Sequence, residues 1–376
     1  MSKKNTVIDL FCGCGGLSQG FIDAGYKISL GIDKWKDAIE TFNFNHKGSN
    51  GIVADLLELN PITVSENEKI DKVDVIIGGP PCQGFSIAGK RIVEDERNQL
   101  YKTFVNFVGH FKPKAFLMEN VPNIMSMGKG AIKNQIIKDF EKLGYKVSHQ
   151  ILLASDYGVP QNRKRAFFIG LKDGVEFEFP ISTTSNNKIT SKEAISDLTE
   201  HTINDGTPYL NQYQSSYQKQ MRNGNKVVFN HQITEHKEKT VEIIAMVPDG
   251  GNYKNLPKEL HSTRKVNIAW TRLNSLKPSF TIDTGHNHHF HYEFNRVPTA
   301  RESARLQSFH DDFIFLKGKT SQLKQIGNAV PPLLAYKIAG QIKKNLLDTT
   351  MNRIVTKRAK QLVFFTDTKN EGRIHK

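Results

Sequence analysis

Cysteine is scarce: the 376 residues hold three, Cys12, Cys14 and Cys82. An odd number at that spacing offers no disulfide framework and agrees with a reducing compartment. Cys12 and Cys14 form a lone C-x-C with no second Cys or His pair at zinc-ligand spacing, so no metal site is expected. No apolar run approaches the roughly 18 residues of a membrane span. The opening MSKKNTVIDLF has neither the apolar stretch nor the cleavage pattern of a signal peptide. A cytoplasmic protein without membrane contact is expected, and no internal repeat is seen. Acidic residues are also in deficit, 38 against 52 Lys and Arg, for a net charge of +14. Such an excess suits a polyanion, and nucleic acid is the first candidate. Hydrophobic residues at 38% and charged residues at 24% exclude a disordered or collagen-like chain. One core stops growing at roughly 250–300 residues, so a large domain with a second lobe or long insertion is expected.

Over residues 1–173, strand-like and helix-like segments alternate. Thr6–Leu10, Lys27–Ile32, Val73–Ile77, Ala115–Met118, Val147–Leu153 and Ala166–Ile169 are short and apolar. Between them, Tyr101–His110 and Ile132–Leu143 have helical apolar spacing. This order argues for βαβ units and a parallel sheet covered on both faces. Residues 174–295 break the pattern. They are rich in Asn, Ser, Thr, Gln, Gly and His, carry 13 basic and 13 acidic side chains, and read as a separate loop-rich lobe. The positive excess therefore belongs to the sheet domain and the tail. Helical patterning returns in 296–348, at Thr299–Gln307 and Pro331–Leu347, as a return to the first domain. Residues 349–376, with seven basic and two acidic side chains, form a basic tail.

Residues 9–16 read Asp-Leu-Phe-Cys-Gly-Cys-Gly-Gly, between the first strand and a helical pattern over Leu17–Ala24. Gly13, Gly15 and Gly16 allow a sharp turn and close approach to a ligand. The helix start offers free N–H groups to an anion such as a carboxylate. A purely structural turn would use the same glycines. Asp33 ends the second strand and Asp55 lies just after the third, where an open α/β sheet collects ligands. Asp33 can accept hydrogen bonds from ribose hydroxyls, and Asp55 one from an adenine amino group. Together they suggest a nucleoside cofactor, and the spacing is not the dinucleotide G-x-G-x-x-G.

Gly78-Gly-Pro-Pro-Cys-Gln-Gly-Phe-Ser86 follows the strand Val73–Ile77 and presents Cys82 from a rigid loop at the sheet's carboxyl edge. Cysteine is usually buried and inert, but these flanking residues are too small and rigid for core, and a nucleophile is favoured. Glu119-Asn-Val121 ends the strand Ala115–Met118 at the same edge. In Gln161-Asn-Arg-Lys-Arg165, Arg163 and Arg165 alternate and so share one side of an extended chain.

Taken together, these motifs resemble the DNA cytosine-5 methyltransferases of bacterial restriction–modification systems. The resemblance rests on Asp9–Gly16, Gly78–Ser86, Glu119–Val121, Gln161–Arg165, Arg296–Phe313 and Gln325–Pro331, in the family's order. The middle lobe matches only in position, where members carry a variable target-recognition region. The resemblance implies a Rossmann-like, S-adenosylmethionine-dependent α/β domain with a smaller recognition domain. It implies a monomer that acts on double-stranded DNA, with a restriction endonuclease sharing its site as a further partner.

The same resemblance implies the chemistry. Cys82 attacks carbon 6 of a flipped-out cytosine. Glu119 holds the ring nitrogen and amino edge, Arg165 binds the carbonyl oxygen, and Arg163 helps order the site. S-adenosylmethionine, leaving as S-adenosylhomocysteine, sits among Phe11, Gly13, Gly15, Gly16, Leu17, Asp33, Lys34, Asp55, Leu56, Pro80, Leu100, Asn328 and Val330. The loop Ser86–Arg97, with Ser86, Lys90, Arg91 and Arg97, closes over the DNA. Arg222, Lys226, Arg264, Lys265 and Arg272 are candidates to read bases.

The chain also departs from the family. Lys34 stands where members often carry an aromatic residue over adenine, with Trp35 one later. His310 replaces the proline of Phe-Pro-Asp, which should alter a turn and leave the chemistry intact. The run Gly285–His291 could hold a metal, but its histidines equally suit hydrogen bonds to DNA or to each other. The alternative activity is cytosine-5 methylation of transfer RNA by the same family, whose members have a small recognition region. The roughly 120-residue middle lobe argues against it.

Overall fold

The computed structural model describes residues 4–81, 99–172, 174–263, 270–284 and 289–347. Cys82, Ser86, Lys90, Arg91, Arg97, Arg264 and Lys265 lie outside the described residues, as do 285–288 of the histidine run and the basic tail.

A seven-stranded sheet orders the first part of the chain. Its strands are β1 (Thr6–Leu10), β2 (Lys27–Asp33), β3 (Asn50–Val53), β4 (Val75–Gly78), β5 (Ala115–Asn120), β6 (Tyr145–Leu153) and β7 (Lys164–Lys172). Their spatial order is β3-β2-β1-β4-β5-β7-β6. Helices α1 (Gly16–Asp23), α2 (Lys36–Asn45), α3 (Pro61–Asn67), α4 (Gln99–Phe111) and α5 (Ala131–Glu141) alternate with the strands.

Strand periodicity of two divides the apolar side chains between the two faces. Val7, Ile28, Val75, Ile77, Leu117 and Ile169 join Leu17 and Phe21 of α1 and Leu334, Ile338 and Ile342 of the late helix 332–347 in one core. Ile8, Leu30, Ile76, Phe116 and Phe168 pack instead with Phe104 and Phe107 of α4 and Ile136 and Phe140 of α5. Strands with both faces covered read as near-continuous apolar runs, which is how they stood out in the sequence.

Two features differ from expectation. β3, Asn-Gly-Ile-Val, escapes the apolar pattern because it is an edge strand with half-exposed side chains. The sheet is not wholly parallel either: β7 runs antiparallel to both β5 and β6. That reversal matters for the site. A parallel strand delivers its carboxyl end to the ligand edge, but an antiparallel one delivers its start. The register Glu119↔Phe167 and Asn120↔Ala166 therefore sets the residues that open β7 beside the end of β5.

Beyond the sheet lie α6 (Ser191–Ile195), α7 (Ser216–Arg222) and α8 (Glu238–Ala245), with the two-residue pairs β8 (Thr207–Pro208) to β9 (Val227–Val228) and β10 (Thr271–Arg272) to β11 (His289–Phe290). Two helices follow, α9 (Ala300–Leu306) and α10 (Lys319–Asn328). Ala194, Ile195, Tyr217 and Met221 share a core with Ala304, Phe309 and Ile326. A buried ion network crosses the same junction. Arg305 pairs with Asp197 and with Asp311 (2.7 Å), and Arg296 grips Glu302 through two nitrogens at 2.8 and 2.7 Å. Burying these charges is tolerable only because each has a partner. Among the described residues, no helix is long and apolar enough to cross a membrane.

Candidate active site

The glycine loop turns immediately after β1. Phe11 takes a left-handed conformation (φ 61°), as do Gly13 (φ 55°) and Gly15 (φ 94°). At Gly15 a side chain has no room, because a Cβ would sit 2.1 Å from the His46 ring. At Gly16 it would sit 2.5 Å from the Val330 carbonyl oxygen. A Cβ at Gly13 would meet nothing within 4 Å. The loop is thus packed from beneath and open at Gly13.

Asp33, at the end of β2, braces this loop. One carboxylate oxygen accepts the Gly13 N–H at 2.9 Å and the other accepts the Trp35 N–H at 2.8 Å. Asp55 accepts from the Leu57 N–H at 3.0 Å and faces the Lys34 ammonium at 3.7 Å. Lys34 therefore lies across the two acidic positions, while Trp35 has Lys324 over its ring at 4.8 Å. Leu17, Leu56 and Val330 are buried in the apolar cores. Their side chains pack, leaving backbone groups for any ligand. Pro80 is buried, Leu100 half-buried and Asn328 exposed.

Deep beneath the loop, Asp9 is 1% exposed and accepts the Ser18 hydroxyl at 2.6 Å, while its second oxygen has no hydrogen-bond partner. Burial pushes its carboxyl up to about 8, against the Ser18 hydrogen bond. Burial likewise raises the thiols of Cys12 and Cys14, the latter to about 12, so both are inert packing groups.

At the end of β4 the chain runs against β5. Asn120 Nδ2 donates to the Pro80 carbonyl at 2.9 Å, and a Cβ on Gly79 would lie 2.8 Å from Glu119 Oε2. This fixes the approach of the segment that carries Cys82. Glu119 Oε1 receives Arg165 Nε at 2.8 Å, with side chains 13% and 16% exposed. Burial raises the Glu119 carboxyl, while the charges of Arg165 and Arg163 pull it back. Burial and the neighbouring guanidinium charges thus act on this carboxyl in opposite directions, with burial the larger.

Arg163 is 1% exposed and donates to the Ile282 carbonyl at 3.2 Å and the Gly327 carbonyl at 2.8 Å. Burial, helped by Arg165, lowers its guanidinium to about 9. Arg163 thus ties the approach to β7 to residues 282 and 327. Gln161, fully buried, accepts the Ile282 N–H at 3.0 Å and bonds to Gln307.

The candidate base readers divide. Lys226 is exposed. Arg222 is not available: it pairs with Asp197 and lies 3.7 Å from the centre of the Tyr209 ring. Arg272 is likewise corrected. It is 4% exposed, and its guanidinium donates to five backbone carbonyls, of Ile244, Val247, His291, Glu293 and Phe294, and to Asn295. A cation so fully engaged is a folding element, not a DNA contact. His291 is buried, its Nδ1 accepts the N–H groups of Glu293 and Phe294, and burial drives it down to about 3. Among the described residues no group of three or more His, Cys, Asp or Glu could hold a metal ion. His310, the departure from proline, offers its carbonyl to Arg301 at 3.1 Å within an intact turn.

A sheet with β1 set between β2 and β4, a glycine loop braced by an acidic residue and a paired Glu–Arg edge together describe a methyltransferase domain. A family model described as C-5 cytosine-specific DNA methylase matches residues 5–344, and the chain belongs to that family. Type II methyltransferase M.DdeI of Desulfomicrobium norvegicum is 39% identical over 98% of this chain and 96% of its own. Type II methyltransferase M1.HphI of Haemophilus parahaemolyticus is 39% identical over 90% of this chain and 87% of its own. A crystal structure described as a DNA modification methyltransferase encoded within a prophage (E. coli) superposes with a TM-score of 0.76 at 30% identity, covering 92% of this chain and all of that one. The fold extends to S. pombe Dnmt2 methyltransferase, at a TM-score of 0.57 and 15% identity. The C-5 methyltransferase family uses S-adenosylmethionine.

Proposed function

We propose that this DNA (cytosine-5-)-methyltransferase modifies a flipped-out cytosine in a specific double-stranded sequence, through a transient bond between Cys82 and carbon 6 of the base. S-adenosylmethionine, when bound, supplies an electrophilic methyl group. The residues present fit it: the loop is open at Gly13, and Asp33 and Asp55 keep lone pairs for ribose hydroxyls and an amino group. Phe11, Leu100 and Asn328 would border it, with Lys34 displaced from Asp55 or laid along the ring.

Chemistry on a base requires that it leave the stack. The paired Glu119 and Arg165 then supply a carboxyl for the ring-nitrogen edge and a guanidinium for the carbonyl oxygen. As the Cys82 sulfur adds to carbon 6, negative charge moves onto the ring. Proton donation to the ring nitrogen through Glu119 and the positive charge of Arg165 offset it, and proton transfer of this kind is worth about 10²–10⁴-fold. Once carbon 5 carries the methyl group, loss of its proton, return of the ring-nitrogen proton and expulsion of the Cys82 thiolate restore aromaticity. The observation that carries this reading is the 2.8 Å Glu119–Arg165 pair at the edge where β4 leads to Cys82. The type II names of the two relatives at 39% identity favour DNA over transfer RNA and a role as the modification enzyme of a restriction–modification pair. The division into 1–173, 174–295, 296–348 and 349–376, the closure of the Cys82 loop on phosphate through Ser86, Lys90, Arg91 and Arg97, a DNA contact from Arg264, and a monomeric state belong to the same proposal.

The test is transfer of labelled methyl from S-adenosylmethionine to DNA and to transfer RNA in separate reactions. Label should enter DNA alone and vanish with Cys82→Ser. Label confined to transfer RNA, or undiminished in the variant, would overturn the reading. Sequencing the methylated product identifies the recognition site.

A further inference from the structure

Arg222 and Arg272, cations expected to read bases, are buried, but an exposed aromatic residue lies beside the strand that opens with the active-site arginines. The segment from Ser279 to Asp283 runs along residues 160–163. The Ser279 N–H donates to the Pro160 carbonyl at 2.9 Å and the Asn162 N–H to the Ser279 carbonyl at 2.8 Å, in a parallel bridge between Gln161 and Ser279. Ile282 bonds to Gln161 and Arg163 on the same stretch. Gln161, Arg163, Ser279 and Ile282 are buried. Asn162, Lys164 and Phe280 are exposed. The Phe280 ring is 39% exposed and stacks on His289, with centroids 5.3 Å apart and planes 24° apart.

A single exposed apolar side chain is ordinary. Phe280 differs in its support. Its backbone is tied to the chain that leads into Arg165, and a second ring backs it. A held, solvent-facing aromatic ring is a surface on which unstacked bases stack, since every base has a π-face. An intact duplex hides those faces. Extrusion of one cytosine uncovers the faces of its stacking neighbours and of its unpaired partner.

We propose that the Phe280–His289 pair is a stacking platform for a base of the substrate DNA uncovered when the target cytosine leaves the duplex. This rests on the reading of the chain as a base-flipping methyltransferase. It adds a DNA contact that is aromatic, insensitive to salt and specific to the opened state.

The test uses the full chain, S-adenosylhomocysteine and two duplex oligonucleotides, one carrying the site found by sequencing and one lacking it. Phe280→Ala should weaken binding to the first duplex roughly 5- to 150-fold, the equivalent of about 1–3 kcal/mol. Binding to the second duplex, its salt slope and the affinity for S-adenosylmethionine should stay at wild-type values. In Phe280→Trp, indole emission should be quenched by the first duplex and not by the second, a signal that survives even where Phe280→Ala fails to fold. Equal losses on both duplexes, wild-type affinity of a folded Phe280→Ala, or unquenched emission in a Phe280→Trp protein that still methylates DNA would each overturn the platform and leave the methyltransferase reading standing. Absence of label in DNA with the wild-type enzyme would remove both.

Discussion

Arg163 donates to the carbonyl oxygen of Gly327 at 2.8 Å, joining the approach to β7 to the last turn of α10. The same guanidinium holds Ile282 at 3.2 Å. Three stretches of chain distant in sequence are thereby fixed around Arg165, whose Nε meets Glu119.

A lysine cannot reproduce this fork, since its single ammonium does not span two carbonyls in fixed directions. Arg163→Lys should leave a buried acceptor unpaired, costing about 1–3 kcal/mol. Thermal melting should show that loss. Single-turnover methylation should slow, because the held carbonyls fix the chain around Arg165, proposed to bind the base. Unchanged melting and unchanged turnover would contradict the role.

Asp33 is the brace of the glycine loop, accepting from Gly13 and Trp35. Asp33→Ala removes two charge-assisted hydrogen bonds and the expected ribose acceptor. Each such bond is worth about 1.5–3 kcal/mol, so the Kd for S-adenosylmethionine should rise at least about tenfold by calorimetry. A Kd within twofold of wild type would show that the acidic position is only structural.

The raised Asp9 carboxyl makes stability fall with pH. Folded Asp9 keeps its proton to about 8, whereas the unfolded chain loses it near the ordinary value of 3.8. Between those values the folded state binds the extra proton, so its stability is whole below about 4 and declines as pH climbs towards 8. Asp9→Asn keeps an acceptor for Ser18 and carries no charge. Its melting temperature should gain on the wild type from pH 5 to about 8 and level off above that. A gap that stays constant across that range would refute the assignment.

Arg272→Ala should destabilise without touching charge-driven DNA binding. Five carbonyls and Asn295 lose their donor together, and unpaired buried groups of this kind cost about 1–3 kcal/mol each where water cannot reach them. The melting temperature should drop steeply. In the residual folded protein at low temperature, the slope of DNA affinity against salt should match wild type, because no phosphate partner is lost. A reduced slope would return Arg272 to the interface.

Much of the sheet was legible because buried strands are written as unbroken apolar runs, as at Val75–Ile77 and Phe116–Met118. β3 was not, since an edge strand needs no such run. The reversal of β7 was also hidden: Ala166–Ile169 is as apolar as its neighbours, and strand direction is set by the connection through Ala154–Tyr157, which carries no periodic signal. At the site, residue type and order pointed to Glu119 and Arg165 together. The roles of Arg222 and Arg272 are hidden in the sequence because a basic side chain in a polar, loop-rich stretch looks free until its acceptors are known: for Arg222 the Asp197 carboxylate 25 positions earlier, for Arg272 backbone carbonyls that any sequence supplies. Phe280 was passed over for the converse reason. Its neighbours Ser279 and Thr281 give no cue that the ring stays outside.

Gly16 touches the carbonyl of Val330, and Gly20 leaves room only for the backbone and Ala335 of the late helix, whose Lys343 reaches back to the Ala24 carbonyl at 2.9 Å. The floor under the donor loop is therefore made of residues translated more than three hundred positions after it. A ribosome-bound fragment ending before Val330 has the glycine motif and the sheet behind α1 but lacks this floor, so the packing of the loop is complete only once residues 330–343 have been made.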